Sequence, residues 1–199
     1  MTHGDDDGLI LPPKVAPHQV SLVPIMRDEA GRGAIAGHCQ EIGARLKAAG
    51  IRVHLDSTDA RSADKIWASI KRGVPIRVEI GEREMQSGQV TMTRRDLGKA
   101  FQRAVSAHGL PGTIRMELDA MQAALLARSQ AFMIGNIHDT GSISAVRDFF
   151  AAGQPGFARA PASVLQDPEM AGVRKEFAVT PRCLPFVDQG QSVILGRSY

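Results

Sequence analysis

The sequence predicts a mixed α/β protein, in which a mixed sheet flanked by helices is followed by a long helix and a small α+β unit. Three observations lead to this prediction. A strand–helix–strand pattern opens the regular part of the chain, two alternating strands follow it, and one long helical stretch precedes a set of short mixed elements. With 199 residues, 43% of them hydrophobic and 23% charged, the chain is long and apolar enough to form a packed core.

The first 17 residues are interpreted as a lead-in segment without a core of its own. Asp5, Asp6 and Asp7 precede Gly8 and form a typical turn sequence. Three carboxylates can hold a divalent cation, but no other ligand stands at a metal-binding spacing, so a solvated turn is favoured.

A βαβ unit is predicted from Gln19 onwards. Residues 20–25 are apolar enough for a buried strand, and residues 51–55 alternate as a second strand. Between them, residues 31–49 carry one apolar helix face, and Gly50 ends this helix. The apolar positions of that face are Ile35, Cys39, Ile42 and Leu46. Such crossovers imply a parallel strand pair.

A short helix over 62–72 and two more strands complete the first domain. The strand over 75–80 alternates apolar and charged residues, and a turn at 86–88 leads to the strand over 88–93. Four strands and two helices are therefore expected by about residue 105, as one α/β domain.

The longest helix signal runs from 113 to 137, and a helix of this length is more typical of a connection between two units. After it, helices are predicted at 143–152 and 169–177, and short strands at 157–160, 184–186 and 193–195. We therefore divide the chain into a lead-in at 1–17, an α/β domain at 18–110, and a long helix with a small α+β domain at 111–199.

Several classes of protein are excluded by composition. No apolar run approaches the roughly 18 residues of a membrane-spanning helix, and the amino terminus is acidic where a signal peptide would be basic. The two cysteines, Cys39 and Cys183, are too few for a zinc site made of cysteines alone, and Cys39 lies on the apolar helix face as a core residue. A cytoplasmic location is expected. Aromatic residues are only 5%, which argues against extensive base stacking.

Positive charge is concentrated in one segment. Between Lys65 and Arg103 nine basic residues stand against four acidic ones, a net charge of +5, whereas the whole chain carries +3. A polyanion-binding face needs such a cluster, because each neutralised phosphate releases a counterion. The alternative is a solvated surface with internal ion pairs. The cluster supplies Lys71, Arg72, Arg94 and Arg95 as candidate RNA-binding residues.

The strand over 75–80 gives a sharper signal. Its apolar residues face the core, which predicts that Arg77 and Glu79 lie side by side on the exposed face. An arginine can donate two hydrogen bonds to a guanine edge, and a carboxylate can accept from amino and imino groups. In RNA such reading requires unpaired bases, as in a loop. The alternative is that both residues pair with neighbours across the sheet.

Signals for catalysis are weak. The chain has no Gly-x-Ser-x-Gly, no phosphate loop ending in Gly-Lys-Ser/Thr and no His-Glu-x-x-His, and its six histidines show no triad or metal spacing. Gly31-Arg32-Gly33 opens a helix after a strand, where phosphates can bind, but it lacks the third glycine of a dinucleotide site.

Taken in order, five segments resemble the C-terminal part of prolyl-tRNA synthetase of the archaeal/eukaryotic type. They are THGDDDGLILPPKVAPHQVSLVPI (Thr2 to Ile25), VHLD (Val53 to Asp56), KRGVPIRVEIG (Lys71 to Gly81), GQVTMTRRD (Gly88 to Asp96) and RCLPF (Arg182 to Phe186). The Leu-Pro-Pro-Lys and Arg-Cys-Leu-Pro-Phe sequences favour the prolyl branch, and the terminal Tyr199 fits it. The resemblance implies an anticodon-binding domain, a helical connection and a small C-terminal domain.

The resemblance also implies which residues read the guanines of the proline anticodon. By position they are Arg77 on the strand, Arg83 and Glu84 after Gly81, and Lys99 after Arg-Arg-Asp-x-Gly. The partner implied is the anticodon loop of tRNA(Pro), with no membrane and no DNA.

The chain departs from the family pattern in three ways. Ile70 stands where relatives often have an acidic residue, and the stretches at 160–164 and 191–196 contain no cysteine where many relatives hold a zinc ion. We therefore predict no metal and no cofactor in this chain. The family's catalytic domain, which uses ATP and magnesium, precedes the matched region, and the resemblance implies that residues 1–17 are a remnant of it or a linker. The chain alone is therefore predicted to have no catalytic residues and to be inactive in aminoacylation.

Three functions remain open at this point. The leading hypothesis is tRNA(Pro) anticodon recognition by the C-terminal part of a proline–tRNA ligase, present as a truncated or split gene. A second is action in trans with a separate catalytic half. The third is a structural fragment that no longer binds RNA.

Overall fold

The computed structural model describes residues 3–26 and 31–198, and it divides the chain into two units, Met1–Leu126 and Ala127–Tyr199. Tyr199 and the first two residues of the lead-in lie outside the described residues. The helix over 110–135 begins in the first unit and ends in the second. Within the described ranges, no helix combines the length and apolarity needed to span a membrane.

In residues 3–26 and 31–126, the first unit shows seven strands, three complete α-helices and the start of a fourth. In chain order they are β1 (Gly4–Asp5), β2 (Gly8–Leu9), β3 (Val20–Pro24), α1 (Arg32–Ala48), β4 (Val53–Leu55), α2 (Ser62–Lys71), β5 (Ile76–Ile80), α3 (Glu82–Ser87), β6 (Gln89–Arg94), β7 (Arg103–Ser106) and α4 (Leu110–Gly135). A short 3₁₀ helix, Gly98–Phe101, connects β6 to β7.

Five of these strands form one mixed sheet in the order β4-β3-β5-β6-β7. β3 is parallel to both β4 and β5, with Val20 opposite Val53 on one side and Ile76 on the other. β5, β6 and β7 are antiparallel to one another in turn. The predicted βαβ unit is therefore confirmed, and so is the mixed α/β fold class.

The core lies between one face of this sheet and the helices α1 and α4. Leu22, Val78 and Met92 are fully buried there, and each such side chain contributes roughly 1.5–3 kcal/mol to the free energy of unfolding. Cys39 of α1 is also fully buried, and burial raises the pKa of its thiol to about 11. Its predicted role as a core residue is confirmed.

Two elements of the first unit were not predicted. Helix α3 occupies residues 82–87, where the sequence analysis had only a turn at its end. Six residues are too few for a clear helical period, and Gly88 then ends the helix at φ 65°. Strand β7 lies at the sheet edge with mostly exposed residues, so its sequence carries no apolar alternation.

The second unit is a four-stranded sheet with two helices. Its elements are β8 (Ile137–Asp139), α5 (Ile143–Ala151), β9 (Phe157–Pro161), α6 (Met170–Phe177), β10 (Val179–Cys183) and β11 (Ser192–Arg197), with the strands in the order β10-β11-β9-β8. Its core is built around the fully buried Val146, Phe150 and Leu195.

Two predictions for this unit were wrong. The long helix ends at Gly135 rather than at 137, because residues 137–139 pair with β9 as a strand. Residues 184–186 are not a strand: β10 ends at Cys183, and Pro185, which has no N–H to donate, precedes a 3₁₀ turn that leaves Phe186 almost fully exposed.

Candidate nucleic-acid interface

Strand β5 presents Arg77 and Glu79 on the sheet face opposite the core, as its alternation predicts. The two side chains lie side by side on that face, and they are only 13% and 14% exposed. Helix α2 and the residues after β6 lie beside the strand and partly cover the Arg77 side chain. Arg77 donates from Nε to Oε1 of Glu79 at 2.8 Å, so the pair forms along the strand rather than across it.

Arg77 lines an open cavity of about 500 Å³, which we call the Arg77 cavity. Helix α2 forms one wall, the end of β6 and the following turn form another, and the β1–β2 turn contributes a single residue. The lining residues are Asp7, Ala63, Ile66, Trp67, Ile70, Arg77, Thr93, Arg94, Arg95, Gly98 and Lys99. Four of the eight predicted RNA-binding residues therefore meet here.

Trp67 is the residue in this cavity that sequence reasoning missed. It is the only tryptophan of the chain, it is 48% exposed, and it lies on α2 beside the partly buried Ile66 and Ile70. The available signal was its place on the same face of α2 as Ala63, Ile66 and Ile70, at helical spacing. The low aromatic content, which argued against extensive stacking, does not exclude one stacking ring placed at a cavity.

Thr93 contributes an unsatisfied polar group to the same cavity. Thr93 is 4% exposed, and its Oγ1 has no hydrogen-bond partner among the described residues. A buried hydroxyl without a partner costs about 1–3 kcal/mol. A ligand that offers a donor or an acceptor at this point would relieve that cost.

Arg83 and Glu84 line a separate cavity of about 320 Å³, together with Glu79, Glu82 and Thr91. Arg83 is exposed. The Glu84 carboxylate accepts hydrogen bonds from the Gly81 backbone N–H at 3.1 Å and from the Thr91 hydroxyl at 3.2 Å. Glu84 therefore caps helix α3, although it still faces this second cavity, which we call the Arg83 cavity.

Arg94 is placed for structure rather than for binding. It is 6% exposed, and its guanidinium donates to Asp96 at 2.7 and 3.0 Å and to Glu117 at 3.0 Å. Its pKa is raised by the hydrogen bond to Asp96 and, after that, by Glu117. Because both carboxylates occupy this guanidinium, we remove Arg94 from the candidate interface.

Arg95 is likewise occupied. Its side chain is 8% exposed and forms a two-point ion pair with Asp5, with one Nη1–Oδ2 distance of 2.8 Å. The hydrogen bond from Arg95 lowers the pKa of the Asp5 carboxyl to about 2, so this ion pair persists at neutral pH. Arg95 thus fixes the β1–β2 hairpin to the sheet, and its contact with RNA stays a prediction.

Besides Arg83, three predicted cations remain accessible. Lys99 is exposed at the rim of the Arg77 cavity, and Lys71 is exposed at the end of α2 beside the β1–β2 hairpin. Arg72 is also exposed, with Nη1 at 3.4 Å from Nε2 of His54. Burial is the main reason that the pKa of His54 is lowered, with further contributions from His18 and Arg72.

The described residues contain no group of three or more His, Cys, Asp or Glu side chains that could hold a metal ion. Cys183 is an exposed free thiol in the second unit. The absence of zinc, other metals and cofactors from this chain stays a prediction.

Comparison with known proteins places this site in a family context. The family described as an anticodon binding domain matches residues 19–116, which contain both cavities except for Asp7. The chain is 36% identical over 193 residues to the chloroplastic/mitochondrial proline–tRNA ligase of Arabidopsis thaliana. It is 32% identical over 212 residues to the proline–tRNA ligase of Bdellovibrio bacteriovorus, and 36% identical over 215 residues to proline–tRNA ligase 2 of Rhodococcus jostii.

These matches cover 94%, 99% and 100% of this chain, but only 35%, 41% and 43% of the respective relatives. The chain therefore spans about two fifths of the length of the curated relatives it matches. The similarity extends through both units and is not confined to the segment that carries the cavities.

Proposed function

We propose that the chain recognises the anticodon loop of tRNA(Pro), because residues 19–116 match the anticodon binding domain family and the relatives that the chain resembles are proline–tRNA ligases. The observation that carries the proposal is the Arg77 cavity, where an arginine fork, an unsatisfied hydroxyl and an exposed indole converge. Unpaired RNA bases are recognised by this combination of edge hydrogen bonding and stacking.

Arg77 supplies the base-reading donors. Its recorded hydrogen bond uses Nε, and within the described part of the chain Nη1 and Nη2 have no partner. Two terminal N–H groups can donate to O6 and N7 of a guanine. Glu79 holds the guanidinium in place from the side, so less side-chain freedom is lost on binding.

The Arg83 cavity offers a place for a neighbouring base. Arg77 faces one cavity and Glu79 the other, and two residues along a strand are about 7 Å apart. Two successive unstacked bases can therefore be held on either side of the Arg77–Glu79 pair. The exposed Lys71, Arg72, Arg83 and Lys99 then provide contacts to the phosphates of the loop.

The test is a binding measurement with a 17-nucleotide anticodon stem-loop of tRNA(Pro) and a control stem-loop whose anticodon guanines are replaced by adenine. We expect tighter binding of the guanine RNA, and a binding constant for both that falls as salt is raised, because phosphate contacts release counterions. Equal affinity for both RNAs would contradict anticodon recognition and would support the structural-fragment hypothesis.

Trp67→Ala is expected to weaken binding of the stem-loop by about 5- to 150-fold, since stacking contributes about 1–3 kcal/mol per base. The loss should be similar for guanine and adenine RNAs, because every base has a π-face. Trp67→Phe keeps an aromatic ring and should retain most of the affinity. Filter binding at two salt concentrations measures the effect, and unchanged affinity of Trp67→Ala would remove Trp67 from the site.

The proposal includes three further points. The chain belongs to the archaeal/eukaryotic type of synthetase, it is located in the cytoplasm, and it acts in trans with a separate catalytic half that would supply the ATP and magnesium chemistry. In this proposal the 199-residue chain by itself forms no prolyl-tRNA, and recovery of prolyl-tRNA formation on addition of such a half would support action in trans.

A further inference from the structure

The β1–β2 hairpin is packed tightly against the end of helix α2. A Cβ on Gly8 would lie 2.6 Å from the Lys71 Cα, and one on Gly73 would lie 2.6 Å from the Leu9 Cβ. Both glycines adopt positive φ, 147° and 68°, so neither position readily accepts a side chain. The Asp5–Arg95 ion pair adds a third anchor. The hairpin turn is therefore held in a fixed position beside the Arg77 cavity.

This placement brings Asp7 into the lining of the Arg77 cavity, next to Ile70 of α2. The backbone N–H of Asp7 donates to Oδ1 of Asp5 at 3.0 Å, which fixes the turn. The Asp7 carboxylate itself is exposed and has no hydrogen bond or ion pair with any residue that the structure describes. It is also the only carboxylate among the cavity-lining residues in that part of the chain.

The other charged groups that line the Arg77 cavity are Arg77, Arg94, Arg95 and Lys99. Arg94 and Arg95 are already neutralised by other carboxylates. Arg77 and Lys99 carry only donors, so they can recognise the O6 and N7 acceptors of a guanine. Donors alone cannot recognise the N1–H and the N2 amino group of the same base. That edge needs acceptors, and an ionised carboxylate offers two acceptor oxygens and no donor.

We propose that Asp7 is a specificity-determining residue of the Arg77 cavity, whose carboxylate accepts hydrogen bonds from N1–H and the N2 amino group of an unpaired guanine. This inference rests on the proposed function and extends it, because the guanine contact comes from the lead-in hairpin, outside residues 19–116. With Asp7 on one edge and Arg77 or Lys99 on the other, the cavity distinguishes guanine from the other three bases.

The probe is the anticodon stem-loop of tRNA(Pro) with each anticodon guanine replaced in turn by inosine, which lacks only the N2 amino group. The wild-type chain is expected to bind the guanine RNA about tenfold or more tightly than one of these inosine RNAs, because hydrogen bonds to charged groups are the stronger ones. In Asp7→Asn this ratio should fall to about twofold or less, because the amide is uncharged and keeps only one acceptor oxygen, so its NH2 group faces one of the two donors of the base.

Asp6→Asn is the matched control. Asp6 lies in the same turn and loses the same charge on substitution, but it faces a different cavity beside Lys71. Any general electrostatic effect of removing one acid on RNA affinity is therefore shared by both variants. Asp6→Asn should keep the wild-type ratio of guanine to inosine affinity.

The outcomes separate this inference from the function it extends. If the guanine RNA is preferred over the adenine RNA but Asp7→Asn and Asp6→Asn keep the same guanine-to-inosine ratio, Asp7 has no part in specificity and the function stands. If the wild-type chain binds the guanine RNA and all the inosine RNAs equally, Asp7 likewise has no part in specificity and the function stands. If the wild-type chain binds none of the RNAs, both proposals fail.

Discussion

Arg77→Ala is expected to reduce the affinity for the guanine stem-loop by about 5- to 150-fold, the range that corresponds to the 1–3 kcal/mol of a two-point base contact. The loss should be much smaller for the adenine stem-loop, because adenine offers no O6 acceptor to the guanidinium. Arg77→Lys keeps the charge but loses the planar fork, so it should restore only part of the affinity.

Arg72→Ala is the control for this experiment. Arg72 is an exposed arginine of the same basic segment and lines neither cavity, so its loss should weaken both RNAs equally and reduce the salt dependence by one phosphate contact. Binding at four salt concentrations separates the two effects. If Arg77→Ala and Arg72→Ala change the guanine preference to the same extent, Arg77 does not read a base.

Arg94→Ala is expected to lower the free energy of unfolding of the first unit by about 3–5 kcal/mol, because it leaves the buried Asp96 carboxylate without a partner. The Asp96 side chain is only 5% exposed and is held by the Arg94 guanidinium, whereas Glu117, 13% exposed, keeps a second ion pair with Arg103. The pair of Arg94 with Glu117 also ties strand β6 to helix α4, so its loss weakens the contact between two layers of the core.

Urea denaturation followed by tryptophan fluorescence measures this effect, because the single tryptophan, Trp67, reports on the first unit. Arg83→Ala removes an exposed arginine and should change the free energy of unfolding by no more than about 0.5 kcal/mol. If Arg94→Ala fails to fold, Arg94→Lys serves in its place, since it keeps the charge with fewer hydrogen bonds. Stability of Arg94→Ala equal to that of Arg83→Ala would contradict a structural role.

Much of the secondary structure could be predicted because it is determined by local periodicity. The face of α1 that carries Cys39 is buried, and the alternation of β5 correctly separates Arg77 and Glu79 from the core. Helix α3 and strand β7 could not be predicted in this way, since six helical residues or four edge residues show no period. At residues 184–186, apolar composition was mistaken for a strand that Pro185 prevents.

The candidate site was predicted only in part, because the charge of a residue does not reveal its partner. Arg94 and Arg95 are as basic as Lys99 in the sequence, yet only Lys99 stays accessible. Trp67 was overlooked because a single aromatic residue has no pattern. Its place at the cavity depends on the orientation of α2 against the sheet.

By itself, the sequence determined that this is a mixed α/β protein with a surplus of positive charge between Lys65 and Arg103, and that Arg77 faces away from the core. Only the tertiary structure decided which of those basic side chains remain accessible to a ligand and which carboxylates lie beside them. Asp5 neutralises Arg95 from 90 positions away, and the same hairpin carries Asp7 to the cavity. Pairings at such separations depend on how the chain folds back on itself, and no local pattern of residues encodes them.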